Sequence, residues 1–225
     1  MGGAQALSLD KSSRHVSAAT NYENMGLEEY EIGGEKGAPR IVWVVGSVVE
    51  KMIKKNEKMM KGWKMKDVKI TAFHGARAPS LGVHQYIDRI FRYSSCSPAC
   101  FVVAYIYLER FLSQTAGFLT SLNVHRLLIT SIMLAAKFLD DDCYNNAYYA
   151  KVGGITNSEL NKLEMKFLTS LDFRLHVSVD TFNSYCLQLE REGNNGETTQ
   201  IDRPAKIFGY VCGRARAPNI ACRAV

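Results

Sequence analysis

The stretch from Ser97 to Leu112, SPACFVVAYIYLERFL, constrains the fold more than any other. Every residue from Ala99 to Leu108 is apolar. Ser97 can accept a hydrogen bond from an early helical N–H. Pro98 suits the first helical position, where its missing N–H would be unpaired anyway. The run therefore predicts a helix. A helix that is apolar all round is either the centre of a bundle or a membrane span, and a span needs roughly 20 apolar residues. This helix is too short for that and must be wrapped by other helices.

The rest of the chain supplies the wrapping. Met1 to Arg40 is polar and glycine-rich without sustained periodicity, which predicts a mostly disordered segment over residues 1–40. Val45, Val48, Val49, Met52, Ile53, Met59 and Met60 then recur at helical spacing, giving an amphipathic helix near Val44 to Met60 that Gly62 ends. Trp63 to Ala78 reads as a loop. Pro79-Ser80 precedes a helix with Val83, Ile87, Ile90 and Phe91 on one face. After the central run, Asn123 is the expected N-cap of LLITSIMLAAKFL, and Asp140-Asp141-Asp142 reads as a solvated turn. A short helix from about Asn146 to Val152 should stop at Gly153-Gly154, a left-handed ending. Thr156 and Glu159 form a capping box, with Ile155 as staple to Leu160. Leu160, Leu163, Phe167, Leu168 and Leu171 are the stripe of the helix that follows. Phe173 to Val177 is an extended link. A last helix from about Val179 to Glu190 carries Val179, Phe182, Cys186 and Leu189, with Gly193 to Gly196 closing it. Residues 41–192 form the folded unit, and 193–225 a poorly ordered basic tail. No alternating strand pattern competes, so the fold class is all-α.

Charge and cysteine usage narrow the setting. The net charge is +6, and Lys51, Lys54, Lys55, Lys58, Lys61, Lys64, Lys66 and Lys69 cluster ahead of the core. A solvated helix face accounts for such a cluster more simply than a phosphate or nucleic-acid surface. Cys96, Cys100, Cys143, Cys186, Cys212 and Cys222 make no C-x-x-C pair and lack the companions of a zinc site. They read as reduced thiols of an intracellular protein. No secretory signal opens the chain, and Ala6 stands where a myristoylation motif wants Ser or Thr.

Two charges sit where apolar residues are expected. Lys137 lies in IMLAAKFL, and Glu164 falls four after Leu160 and three before Phe167, on that helix's own stripe. Burying an unpaired charge costs several kcal/mol or more. Three arrangements satisfy this. The two pair in the core, or both sit at stripe edges and reach water, or they are oppositely charged anchors on an apolar surface that receives a partner helix.

SPACFVVAYIYLERFL, SIMLAAKFLDDDCYNNAYYAKVGGI and ELNKLEMKFLTSLDFRLHVSVDTF together resemble the cyclin box. More narrowly they are similar to the U-type, or P-type, cyclins of plants, relatives of the yeast phosphate-signalling cyclins. The resemblance covers about Val42 to Glu192. It implies a single box of five helices around the central apolar one, with the N-terminal helix beside it. It also implies a non-catalytic subunit that binds and activates a cyclin-dependent protein kinase, in cell-cycle control and in phosphate or nutrient signalling. By the same resemblance Lys137 and Glu164 grip the kinase C-helix and the backbone before it, and Leu134, Phe138, Leu168, Phe173 and Leu175 are their apolar neighbours.

The chain departs from better-known cyclins in one stretch. Where those carry a Met-Arg-Ala-Ile-Leu substrate-docking patch, Pro79-Ser80-Leu81-Gly82-Val83 stands here. Ser80 replaces the arginine and Gly82 removes an apolar side chain, so a weak or absent docking groove is expected. Glu109, the position whose acid normally pairs with that arginine, must find another partner or reach water. No second box fits between Glu192 and Val225.

Enzyme readings find little support. G-x-x-x-x-G-K, H-E-x-x-H and G-x-S-x-G are all missing, and His74, His84, His125 and His176 are isolated packing or surface residues. No cofactor, metal ion, membrane or small-molecule substrate is expected, and the setting is the nucleus, the cytoplasm or both. A reading of another class, a cyclin-fold adaptor of transcription that binds nucleic acid, rests on the lysine cluster and the arginine-rich tail. It is the weaker one, because such adaptors usually carry tandem boxes.

Overall fold

The apolar run folds as the helix Pro98–Thr115, and every residue from Cys100 to Leu108 is buried. This computed structural model describes residues 26–27, 38–62 and 70–194. Among these the chain is all-helical, with seven helices and no strand. They are α1 (Arg40–Met60), α2 (Val83–Ser94), α3 (Pro98–Thr115), α4 (Val124–Leu139), α5 (Asn146–Gly153), α6 (Asn157–Ser170) and α7 (Val179–Asn194). Helix α3 packs against α1, α4, α6 and α7, and Phe91 of α2 meets its Phe101 at 5.8 Å between ring centroids. Each fully buried Leu, Ile or Phe of this helix contributes about 1.5–3 kcal/mol. Helices α2 to α6 form a five-helix box with α3 at its centre, and α1 and α7 flank the box and pack on each other.

Helix α1 starts earlier than its stripe suggested. Pro39, at φ −53° and ψ 151°, stands as its N-cap, and Ile41 and Val42 are buried with Val44, Val45, Val48, Val49 and Ile53. Lys51, Lys54, Lys55, Lys58 and Lys61 point to solvent. Lys64, Lys66 and Lys69 lie outside the described residues, as do nearly all the residues expected to be disordered at the two ends. Helix α7 does not stop at Gly193 but runs through it to Asn194. A Cβ at Gly193 would meet Val44 Cγ2 at 2.8 Å, so the glycine serves close approach of α7 to α1. The Arg40 guanidinium donates to Asn194 Oδ1 across the same contact. At the opposite end of the expectations, Val179 opens α7 but is exposed rather than packed.

Several caps differ from the sequence reading. Ser97 does not cap α3 with its own side chain. Its N–H donates to Asp140 Oδ2 at 2.9 Å and its hydroxyl to Asp140 Oδ1 at 2.8 Å, while the Cys100 thiol donates to the same carboxylate at 3.3 Å. Asp140 thus leaves the expected solvated turn and supplies the acceptor that a helix N-terminus needs; Asp141 and Asp142 remain exposed. Asn123 makes no cap bond to α4; its Oδ1 accepts from Thr120 N–H and its Nδ2 donates to the Phe118 carbonyl, both at 2.8 Å, which shapes the loop before α4. The Thr156 hydroxyl accepts from Glu159 N–H at 3.1 Å as expected, but the Glu159 side chain turns to Arg126 at 2.6 Å, where a guanidinium offers a stronger bond than a neutral N–H. Gly154, at φ 71°, closes α5 in the left-handed conformation.

Glu109 finds its partners in tyrosines. Its Oε1 accepts from Tyr105 at 2.6 Å and its Oε2 from Tyr185 at 2.8 Å, joining α3 to α7. Cys96, Cys100 and Cys186 are buried free thiols and Cys143 is an exposed one; Cys212 and Cys222 lie outside the described residues.

Candidate partner-binding surface

The last turn of α4 carries Lys137, Phe138 and Leu139, and the helix stops at once. Asp140 adopts extended backbone, φ −94° and ψ 135°, and its N–H bonds the Ala136 carbonyl. Because the Asp140 side chain is held by the start of α3, this end of α4 is clasped to the core helix. An ammonium in the last turn also suits the negative end of the helix dipole. Helix α6 runs alongside and brings Glu164 to the same place. Lys137 Nζ lies 2.8 Å from Glu164 Oε1, with the side chains 32% and 16% exposed.

The pair therefore does form, but at the protein surface and not inside the core. Asn146, the first residue of α5, completes it. Its Oδ1 accepts from Lys137 Nζ, and its Nδ2 donates to Glu164 Oε2 at 2.6 Å and to Asn161 Oδ1 at 2.7 Å. Three helices thus share one small polar network. Lys137 is left with an N–H to give, and the Glu164 carboxylate keeps lone pairs to accept with.

Apolar side chains from the same helices stand exposed. Phe138 and Leu139 end α4, Met165 follows Glu164 on α6, and Tyr144 stacks on Tyr148 at 3.9 Å before and within α5. Leu134 is buried, so it supports the end of α4 from within the core and offers no surface of its own. Leu168 and Leu175 are partly buried against the core. Phe173 is 61% exposed. It and Asp172 are both left-handed, at φ 55° and 52°, a conformation that costs about 1–3 kcal/mol for such residues. Neighbouring bonds hold it there. Phe173 N–H donates to the Leu168 carbonyl at 3.0 Å. Arg110 reaches the carbonyls of Arg174 and His176 at 3.2 and 3.1 Å, and the Tyr107 hydroxyl reaches that of Leu175 at 2.7 Å.

The structure thus brings Lys137, in the last turn of α4 with Phe138, against Glu164 in the middle of α6, with Leu134 buried behind and Leu168, Phe173 and Leu175 at and beyond the end of α6. Sequence reasoning missed Leu139, Met165 and Asn146. Met165 was findable, since it follows Glu164 off the stripe. Asn146 was read only as the start of a helix.

Other candidates are absorbed by the fold. His74 Nδ1 accepts from Thr71 N–H at 3.0 Å, and His125 Nε2 sits 2.8 Å from the Leu81 carbonyl. Burial holds both imidazoles below the ordinary histidine value. His84 stacks on Trp43. Among the described residues no cluster of metal-ligating side chains occurs and no helix is long and apolar enough to cross a membrane. The lysines of α1 lie on a helix that packs against α2, α3 and α7, apart from the α4–α6 surface.

The described residues form a small all-helical box around a buried central helix. The cyclin family model matches residues 12–175, and the chain belongs to the cyclin family, with a cyclin-type regulatory role. Its similarity is to the plant U-type and P-type members. It is 45% identical to Cyclin-P3-1 of Oryza sativa subsp. japonica over 203 residues, which covers 90% of this chain and 83% of that protein. It is 48% identical to Cyclin-U1-1 of Arabidopsis thaliana over 163 residues, 72% of this chain and 78% of the relative. With Cyclin-U3-1 of Arabidopsis thaliana the identity is 53% over 137 residues, 61% of each.

Proposed function

We propose that this chain is a non-catalytic regulatory subunit that binds and activates a cyclin-dependent protein kinase, acting in the nucleus or cytoplasm in cell-cycle control and in phosphate or nutrient signalling. The folded unit that carries this role runs from α1 to α7. The observation that carries the reading is the Lys137–Glu164 pair, held at the surface by two helices on which Phe138, Leu139 and Met165 are also exposed. Lys137 and Glu164 bond polar groups of the kinase. Phe138, Phe173 and the exposed parts of Leu168 and Leu175 receive its apolar side chains, and Leu134 supports them from below.

Activation requires that the active kinase arrangement be bound better than the inactive one. Moving a kinase from 1:99 to 99:1 takes about 5.5 kcal/mol of differential affinity. An interface of ordinary size, roughly 1,200–2,000 Å² in total, can supply it. The test is capture of a kinase from source-cell extract by the full chain, identified by mass spectrometry and followed by a kinase assay. A cyclin-dependent kinase should be retained and its activity should rise, while the purified chain alone phosphorylates nothing. Failure to form a stable complex with any such kinase of its source defeats the reading.

The exposed lysines of α1 favour a second reading, a cyclin-fold adaptor that binds nucleic acid. It predicts salt-sensitive binding to duplex DNA without a kinase, with affinity falling steeply as salt rises.

A further inference from the structure

We infer that Asn146 is a positioning residue for the kinase-binding pair, holding Lys137 and Glu164 in a shared orientation that the partner meets ready-made. The inference rests on the kinase-binding reading above and goes beyond it to a residue that this reading does not use. Asn146 stands where α4, α5 and α6 converge. Its carbonyl oxygen accepts a hydrogen bond from Lys137 Nζ, and its amide nitrogen donates to Glu164 Oε2 at 2.6 Å and Asn161 Oδ1 at 2.7 Å. Lys137 meanwhile spans to the other Glu164 oxygen at 2.8 Å. The amide serves both charges at once because one planar group carries an acceptor oxygen and a donor nitrogen on the same carbon.

Without that amide the two charges have only each other. Lysine is long and flexible, so the ammonium is free to slide between the two carboxylate oxygens. Its outward valences then no longer point one way, and a partner must order them on binding, which lowers affinity. Asn146 has no comparable duty in the fold. The helix it opens is capped by the preceding residue, Asn145, whose side chain accepts from Tyr148 N–H at 3.0 Å.

This separates a positioning role from a structural one. Aspartate has the shape of asparagine and is favoured in the first turn of a helix, which offsets its repulsion from Glu164, so Asn146→Asp should leave the melting temperature nearly unchanged. It cannot donate to Glu164, and it places a second carboxylate beside the first. A structural role therefore predicts unchanged kinase binding for Asn146→Asp, and a positioning role predicts a loss.

The experiment measures affinity of the full chain for a purified cyclin-dependent kinase catalytic subunit. The variants are Asn146→Ala, Asn146→Asp, the double Lys137→Ala/Glu164→Ala, and the triple that adds Asn146→Ala. The expected losses are about tenfold for Asn146→Ala, the low end for a hydrogen bond to a charged group, and at least as much for Asn146→Asp, with melting unchanged. The triple variant should bind no worse than the double, because Asn146 acts only through the pair. Wild-type affinity for both Asn146 variants overturns the inference. So does a triple variant weaker than the double by the full single-variant factor, which would make Asn146 a direct kinase contact. If the double variant itself binds like the wild type, the kinase-binding reading of the pair falls first, and the inference with it.

Discussion

Glu109 and Glu164 are both carboxylates on helices that pack in the core, and the molecule uses them in opposite ways. Glu109 is closed off by neutral donors, Tyr105 from its own helix and Tyr185 from α7. Burial, and then the charge of Glu109 itself, push both tyrosines well above their ordinary pKa. Every oxygen there is engaged by a group that belongs to the chain. Glu164 is met by a charge, Lys137, and by the bridging amide of Asn146, with exposed apolar side chains on the same helices as the pair. Tyrosine hydroxyls satisfy a carboxylate without adding a second charge to desolvate, which suits a helix joint. An ion pair at the surface gains little for stability, which leaves its two charges available to an interface.

That contrast can be broken experimentally, and the largest effect is expected at the open end. Lys137→Ala or Glu164→Ala should weaken kinase binding by roughly 2–5 kcal/mol, since each strands a partner group in a desolvated interface. Thermal melts followed by circular dichroism should barely move. A steep fall in melting temperature for both would place the pair among the stabilising contacts with Glu109.

Glu109→Ala should show the reverse pattern. It leaves the Tyr185 hydroxyl without its Glu109 acceptor and Tyr105 with only the weakly accepting Met52 sulfur at 3.8 Å, at about 1–3 kcal/mol for each such loss. The melt should fall by several degrees, while the kinase affinity of the folded fraction stays put. Asp140→Ala tests the clasp between the two regions. It removes the acceptor of the α3 N-terminus and should cost about 0.5–2 kcal/mol, the range for a lost helix cap, read in denaturant melts.

The smallest effect is one of pH. Burial, with the Glu109 charge, raises the folded pKa of Tyr105 and Tyr185 above the ordinary tyrosine value of about 10. The unfolded chain therefore releases these protons first, and the stability they contribute is complete below pH 10 and declines as pH rises beyond it. Melts taken across that window should show the decline, and Tyr185→Phe should make it shallower. An identical slope in the variant would mean that the Glu109 cluster does not govern it.

The extent of what was legible in the sequence follows from the range of the forces involved. Helical periodicity is a matter of neighbours three and four residues apart, so the stripes of α2 and α6, that of α1 as far as Ile53, and the all-round burial of α3 were readable, whereas Met59 of the expected α1 stripe is exposed. The glycine stop of α5 and the Thr156 cap were readable for the same reason. The charges on α4 and α6 were recognisable as misplaced, because an unpaired charge on an apolar stripe is costly wherever the helix packs. Which of the three arrangements they adopt was open.

Tertiary structure decided the rest, because the bonds in question join groups far apart in the chain. Glu109 is closed by a tyrosine 76 residues on, the start of α3 is capped from 43 residues away, and Asn146 reaches Glu164 across 18. A local pattern can announce that Ser97, Asn123 or Glu159 is able to cap a helix. It cannot announce that a better acceptor or a guanidinium will arrive from another helix and take its place. Residue order set the helices and the oddity of Lys137 and Glu164, and packing of α4, α5 and α6 set them side by side at the surface.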